Sequence, residues 1–247
     1  MGRLDGKVCV ITGAAGGIGA ETVALFQSEG ARVAGVDLAP NTPGDLAIEA
    51  DVSDEEQVRS VYTRVNAEFG RIDALFNNAG ISPIDDVSAL DTPLDVWQRV
   101  QDVNLKSVFL CCRHGIPYLL EAGGGSVVNM ASFVAVMGAA TPQISYTASK
   151  GGVVALSREL GVELARRGVR VNALCPGPVR TPLLEELYAS DPERAARRLV
   201  HVPMGRFAEP REIAQAALFL TSDESSYVTA SSFMVDGGIS SAYVTPE

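Results

Sequence analysis

A chain of 247 residues, 47% hydrophobic and 20% charged, is long enough to bury a sizeable core and too apolar for disorder. Its formal charge of −10 argues against nucleic acid or an anionic membrane as a partner, because both demand a basic surface. No apolar run reaches membrane-spanning length, and Met1 to Lys7 lead straight into a strand-like segment without the long apolar region of a secretory signal. Cys9, Cys111, Cys112 and Cys175 lie in apolar segments without metal-ligand spacing, and adjacent Cys111 and Cys112 pair poorly. The expectation is a cytoplasmic protein with reduced thiols and no metal.

In chain order, Lys7 to Thr12 is a continuous apolar run, the signature of a strand buried on both faces of a parallel sheet. Gly13-Ala14-Ala15-Gly16-Gly17-Ile18-Gly19 follows and opens a helical pattern that runs to about Glu29. In a strand–turn–helix context, such glycines let the backbone approach a pyrophosphate at the positive end of the helix. A second strand, Arg32 to Asp37, ends in a carboxylate placed to bind an adenosine ribose. That carboxylate repels a 2′-phosphate. Leu38 stands where an arginine could have received one, and Ala15 adds no charge in the turn, so the sequence favours NAD(H) over NADP(H).

Ala47 to Val52 reads as a third strand, with Asp51 and Val52 placed near an adenine edge. Ser53 is expected to cap a helix that runs to Phe69. Ile72 to Phe76 is a fourth strand that runs into Asn77-Asn78-Ala79-Gly80. Asp95 to Glu121 reads as one long helix, in which internal Asn104 is expected to distort the backbone locally. Gly125 to Ser132 is a fifth strand ending in a hydroxyl. Tyr146 to about Arg166 is helical, and Val169 to Cys175 is a sixth strand ending in Pro176-Gly177-Pro178-Val179-Arg180-Thr181. Residues from about Pro182 to Arg206 form a polar, proline-interrupted segment with the look of a lid; Pro210 to Thr221 is a helix, and Ser232 to Gly238 holds the last strand. Strands alternate with helices throughout and no linker appears. The expectation is one α/β domain over residues 1–247 with a doubly wound, Rossmann-type sheet of about seven parallel strands.

Tyr146 and Lys150 are spaced to stack on one helix face. An ammonium beside a phenol favours the phenolate, so this pair is expected to lower the tyrosine pKa and to exchange a proton with an alcohol or a carbonyl oxygen. If the end of the fifth strand meets this helix at the ligand crevice, Ser132 and Tyr146 address one substrate oxygen.

Taken together, Thr12-Gly13-x-x-x-Gly17-x-Gly19, Asp37, Asp51-Val52, Asn78-Ala79-Gly80, Asn104, Ser132, Tyr146-x-x-x-Lys150 and Pro176-Gly177-x-x-x-Thr181 resemble the short-chain dehydrogenase/reductase family over the whole length. The resemblance implies an NAD-dependent enzyme acting on CH–OH groups, with Asn104, Ser132, Tyr146 and Lys150 as a catalytic tetrad. It implies that Asn104 holds a water linking Lys150 to solvent, that Thr181 holds the nicotinamide carboxamide, and that Ile18 and Val179 pack nearby. It also implies a homotetramer built in part on the Asp236-Gly237-Gly238 strand.

The leading expectation is therefore interconversion of a small-molecule secondary alcohol and a ketone. A 3-oxoacyl-thioester reductase is the nearest alternative. The acidic charge disfavours docking of an acidic acyl carrier, unless Arg194, Arg197 and Arg198 supply a basic patch. A non-catalytic NAD-binding regulator is the remote alternative, and a nucleotide-sugar epimerase is more remote still. Substrate contacts are expected from 81–87, 133–143 and 183–204, with Gln143 and Met137 as pocket candidates and His201 as a weaker one.

Overall fold

In the computed structural model, which describes residues 2–181 and 192–242, seven short runs pair into one parallel sheet. The strands are β1 (Val8–Thr12), β2 (Arg32–Asp37), β3 (Leu46–Glu49), β4 (Ala74–Asn77), β5 (Gly125–Met130), β6 (Val169–Pro176) and β7 (Ser232–Val235). Their order is β3-β2-β1-β4-β5-β6-β7. The order reverses between β1 and β4, which opens a crevice at the carboxyl ends of those two strands.

The helices are α1 (Gly17–Ser28), α2 (Glu55–Phe69), α3 (Leu94–Gln101), α4 (Ser107–Glu121), α5 (Ile144–Leu164), α6 (Pro192–Leu199) and α7 (Pro210–Thr221). Side chains of a strand alternate between faces, and β1 shows the consequence. Val8 and Val10 join a core with α2, α4 and α5, while Cys9 and Ile11 join a second core with α1 and α7. A strand that feeds two cores is apolar on both faces, which is why Val8 to Ile11 of β1 read as an unbroken hydrophobic run. All four cysteines are free and buried within these layers. Burial pushes the Cys111 thiol up to about 12 and the Cys175 thiol up to about 11. Among the described residues, no helix is long and apolar enough to cross a membrane.

Three elements depart from the sequence reading in ways that matter. β3 ends at Glu49, so Asp51 and Val52 lie in the loop beyond it rather than in the strand. The cap of α2 is Asp54, whose side chain accepts from Gln57 N at 3.0 Å; Ser53 is diverted, its hydroxyl donating to Asp51 Oδ1 at 2.7 Å. The expected long helix breaks into α3 and α4 around a π-helical turn, Asp102–Lys106, that contains Asn104. The distortion has a cause. Asn104 is fully buried, its Oδ1 accepts from Ile81 N at 2.8 Å, and its amide donates to Ile81 O at 2.9 Å. Those bonds draw the helix toward the loop after β4.

Candidate active site

The glycine turn is shaped by close packing. A Cβ at Gly19 would overlap the carbonyl oxygen of Gly13, and Gly17 holds a positive φ of 51°. The turn delivers α1 to the crevice with no side chain capping its first turn and no acidic residue in it. Helix α2 is the contrast: it is capped by Asp54 and opens with Glu55 and Glu56. The free amide end of α1 is therefore left for an anion from outside the helix.

Beside this turn, Asp37 closes β2. Its Oδ2 accepts from Ala15 N at 3.0 Å and its Oδ1 from Ala39 N at 3.2 Å, which locks the carboxylate in place. Thr12 and Asn78 tie the ends of β1 and β4 together. Thr12 Oγ1 accepts from Asn78 N at 3.0 Å and Ala79 N at 3.1 Å, and the Asn78 amide donates to Thr12 O and Gly13 O, each at 3.1 Å. Between these walls lies a cleft of about 650 Å³ lined by Gly13, Asp37, Leu38, Asp51, Val52, Ala79 and Gly80. Its size, its carboxylate and the uncapped helix beside it fit the adenosine half of a dinucleotide. Asp51 presents less free carboxylate than expected, because its Oδ1 takes both the Ser53 amide and the Ser53 hydroxyl.

At the deep end of the crevice the four tetrad positions meet. A Cβ built on Gly80 would lie 3.3 Å from Asn104 Oδ1 and 3.4 Å from Lys150 Nζ, so the three residues are neighbours. Asn104 also donates to Ser149 Oγ at 3.3 Å. Lys150 is buried; its Nζ donates to Met130 O at 2.8 Å and sits 5.6 Å from the centre of the Tyr146 ring. Ser132, just past the end of β5, hydrogen-bonds the Tyr146 phenol.

The electrostatics correct one expectation. Burial raises the Tyr146 pKa above its ordinary value, and the Ser132 hydrogen bond offsets only part of that. The expected fall is absent from the polypeptide itself, where burial outweighs the Ser132 bond; the Lys150 ammonium donates to the Met130 carbonyl. Burial also brings Lys150 down to about 8, against a smaller opposing effect from Cys175.

The remaining sites divide. Val179 is buried, Ile18 packs against the α1 and α7 core, and a Cβ on Gly17 would lie 3.5 Å from Thr181 Cγ2. Pro176 ends β6, and Gly177 donates its amide to Val235 O at 3.0 Å. Gln143 precedes α5 without capping it by its side chain, Met137 is 38% exposed and His201 is exposed. Of the expected lid at 182–206, residues 182–191 lie outside the described residues; of the arginine trio, only the Arg197 side chain is described, and it is exposed.

Other cleft residues were not singled out in the sequence. Asp95, Gln98, Arg99, Asp102 and Val103 line the cleft from α3 and the π turn. Their spacing of i, i+3, i+4, i+7 and i+8 is a single helical face, a signal the sequence does contain.

Fold and crevice together define a doubly wound parallel sheet with a Ser, Tyr and Lys cluster beside its switch point. A sequence model described as enoyl-(acyl carrier protein) reductase matches residues 13–240. The 3-oxoacyl-[acyl-carrier-protein] reductase FabG of Thermotoga maritima is 42% identical, covering 96% of this chain and 99% of the relative. The D-threitol dehydrogenase of Mycolicibacterium smegmatis is 41% identical, covering 96% of this chain and 94% of the relative. The crystal structure of levodione reductase superposes with a TM-score of 0.90 at 36% identity, covering 98% of this chain and 100% of that one. A short-chain dehydrogenase/reductase from Burkholderia xenovorans gives 0.93 at 33% identity, covering 98% and 100%. The chain belongs to the short-chain dehydrogenase/reductase family and is an oxidoreductase of that family.

Proposed function

We propose that the protein is an NAD(H)-dependent enzyme that interconverts a secondary alcohol and a ketone, with Tyr146 as general acid and base. The observation that carries this reading is a connected cluster: Asn104 and Lys150 meet at Gly80, Tyr146 lies beside Lys150, and Ser132 hydrogen-bonds its phenol, next to a cleft whose wall carries Gly80 and Asp37. A bound nicotinamide supplies the hydride acceptor or donor, and in its oxidised form a positive charge. Gly13, Ala15, Gly16, Gly17, Ile18 and Gly19 would face its pyrophosphate, Asp37 its ribose, and Val179 and Thr181 its nicotinamide end.

The chain's own residues then divide the work. Ser132 donates a hydrogen bond to the reacting oxygen and holds it beside the phenol. Tyr146 gives that oxygen a proton in the reductive direction and removes one in the oxidative direction. Its raised pKa within the polypeptide suits the donor role at neutral pH. Lys150 brings positive charge to the phenolate form and would bind the nicotinamide ribose. A water held at Asn104 would connect Lys150 to solvent.

Reduction of a 3-oxoacyl thioester is the second reading, favoured by 42% identity to the Thermotoga enzyme named for that reaction. Relatives named for threitol, for a hydroxycyclohexanecarboxylate and for levodione keep polyols and cyclic alcohols or ketones in play. We take the chain as one nucleotide-binding unit with a substrate cover at about 182–206, assembled as a homotetramer. The test is loss of reduced-nicotinamide absorbance with an acetoacetyl thioester, levodione and erythrulose, each with NADH and NADPH. Turnover with NADH supports the reading; preference for NADPH overturns the cofactor assignment. No hydride transfer to any ketone or from any alcohol, with tight NADH binding, would leave the non-catalytic regulator.

A further inference from the structure

Resting on that reading of Tyr146, we propose that Asp86 is the positioning residue of the helix that carries it, capping α5 from a separate loop. The first turn of any helix presents main-chain amides without partners inside the helix. Helix α5 has no help from its own sequence: Gln143 at its N-cap makes no side-chain bond, and its first turn holds no acidic residue. The partners come from the loop after β4. Asp86 Oδ1 accepts from Ser145 N at 2.9 Å, Asp86 Oδ2 accepts from Tyr146 N at 2.8 Å, and Val87 O accepts from Ile144 N at 3.1 Å. One carboxylate thus grips the main chain of the proposed general acid itself.

Three further observations set Asp86 apart from an ordinary loop carboxylate. It is 4% exposed, a costly place for a charge. Among the described residues no lysine, arginine or histidine forms a salt bridge with it, so the positive end of α5 is its counter-charge. A turn in which Asp86 N donates to Pro83 O at 3.2 Å fixes its aim. The other end of the same loop is Ile81, whose amide and carbonyl are both held by Asn104. Residues 81–87 therefore run from Asn104 to Tyr146 and set the distance between two members of the tetrad. Gln101 adds a second hold, donating to Ser145 O at 2.9 Å.

Helix α5 does not depend on this cap to exist. It is 21 residues long and buries Val153, Val154, Ser157 and Leu164 against the sheet. What the carboxylate fixes is the placement of the first turn, where an error of about 1 Å costs up to about a hundredfold in rate.

Asp86→Asn keeps the size and one acceptor oxygen; Asp86→Ala removes both. Three quantities are read: kcat and KM for the best ketone with NADH, NADH binding by fluorescence titration, and amide hydrogen exchange across the chain. The expected result is a kcat lower by about tenfold to a hundredfold in Asp86→Asn and lower still in Asp86→Ala. NADH affinity stays within about twofold, because the cleft walls are untouched, and faster exchange is confined to 143–149. The proposal is overturned by unchanged kcat with unchanged exchange at 143–149. It is equally overturned if kcat, NADH binding and protection across the sheet fall together, since that is loss of fold. Tyr146→Phe measured in parallel separates the two claims. Turnover retained there sinks the general-acid assignment. Turnover lost there but retained in Asp86→Asn sinks the positioning role alone. The exchange readout needs no substrate.

Discussion

Lys150 Nζ donates to the main-chain oxygen of Met130 at 2.8 Å, and Met130 is the last residue of β5, two positions before Ser132. The lysine therefore fastens the serine's strand to the tyrosine's helix, and it does so as a buried cation brought down to about 8. Below pH 8 the ammonium is present in both folded and unfolded chains, and burial costs stability in full. Between pH 8 and the unfolded value of 10.5 the folded chain sheds its proton first, and the cost fades. The gap corresponds to about 3 kcal/mol, of which the orphaned Met130 carbonyl would return about 1–2. Lys150→Met is thus expected to melt a few degrees above the parent at pH 7, to lose that margin by pH 10, and to lose turnover. Calorimetric Tm against pH checks this; a margin that widens with pH contradicts it.

The same ionisation governs the rate. With Lys150 protonated below pH 8 and Tyr146 protonated to higher pH, kcat/KM for ketone reduction should be flat through neutrality. It should then fall above about pH 8 as Lys150 loses its charge. A steady-state profile from pH 6 to pH 10 tests this, and a rate that climbs through pH 8 is the contrary result.

Gly80→Ala places a methyl group 3.3 Å from Asn104 Oδ1 and 3.4 Å from Lys150 Nζ. Asn104 must give by a few tenths of an ångström and Lys150 is brought to the limit of contact, and both belong to the proposed machinery. The expected outcome is a loss of kcat of about tenfold to a hundredfold with Tm nearly unchanged. Steady-state kinetics and a melting curve on one preparation decide it.

Asp37→Ala removes the fixed carboxylate from the cleft wall. A charge-assisted hydrogen bond contributes about 1.5–3 kcal/mol, so NADH should lose about tenfold to a hundredfold in kcat/KM. NADPH should gain, because the charge that repels a 2′-phosphate is gone. Arg99 lines the same cleft and adds a positive charge to it. The ratio of the two kcat/KM values is the readout; an unchanged ratio removes Asp37 from cofactor selection.

Asp54→Ala takes the cap from α2, a helix that carries none of the four tetrad residues. The expected cost is about 1 kcal/mol, a fall of about 2–4 °C in Tm, with kcat intact. A drop in kcat would mean that α2 reports to the site after all.

The strands were legible because a parallel sheet covered on both faces favours apolar residues along its inner strands, and Val8 to Ile11 of β1 show this plainly. Asp37, Gly80, Ser132 and Tyr146 were legible because each stands at a fixed offset from a strand end or within one helical turn. What escaped the sequence depends on partners far along the chain. Ser53 has the residue type of a cap, yet its hydroxyl was already taken by Asp51. Asp86 lies 59 residues from the first of the two amides it holds, and nothing local marks it. The Tyr146 pKa went the other way because burial is a property of packing, which spacing does not encode.

The four free thiols of the two cores carry a last consequence. Cys9, Cys111, Cys112 and Cys175 are each 2% exposed or less, from β1 on one side of the switch point to β6 on the other. A thiol reagent can reach them only through openings that part the helices from the sheet. The protein thus carries its own clock for global opening, spread across the molecule, and colour development with a disulfide dye would time that opening without any label being added.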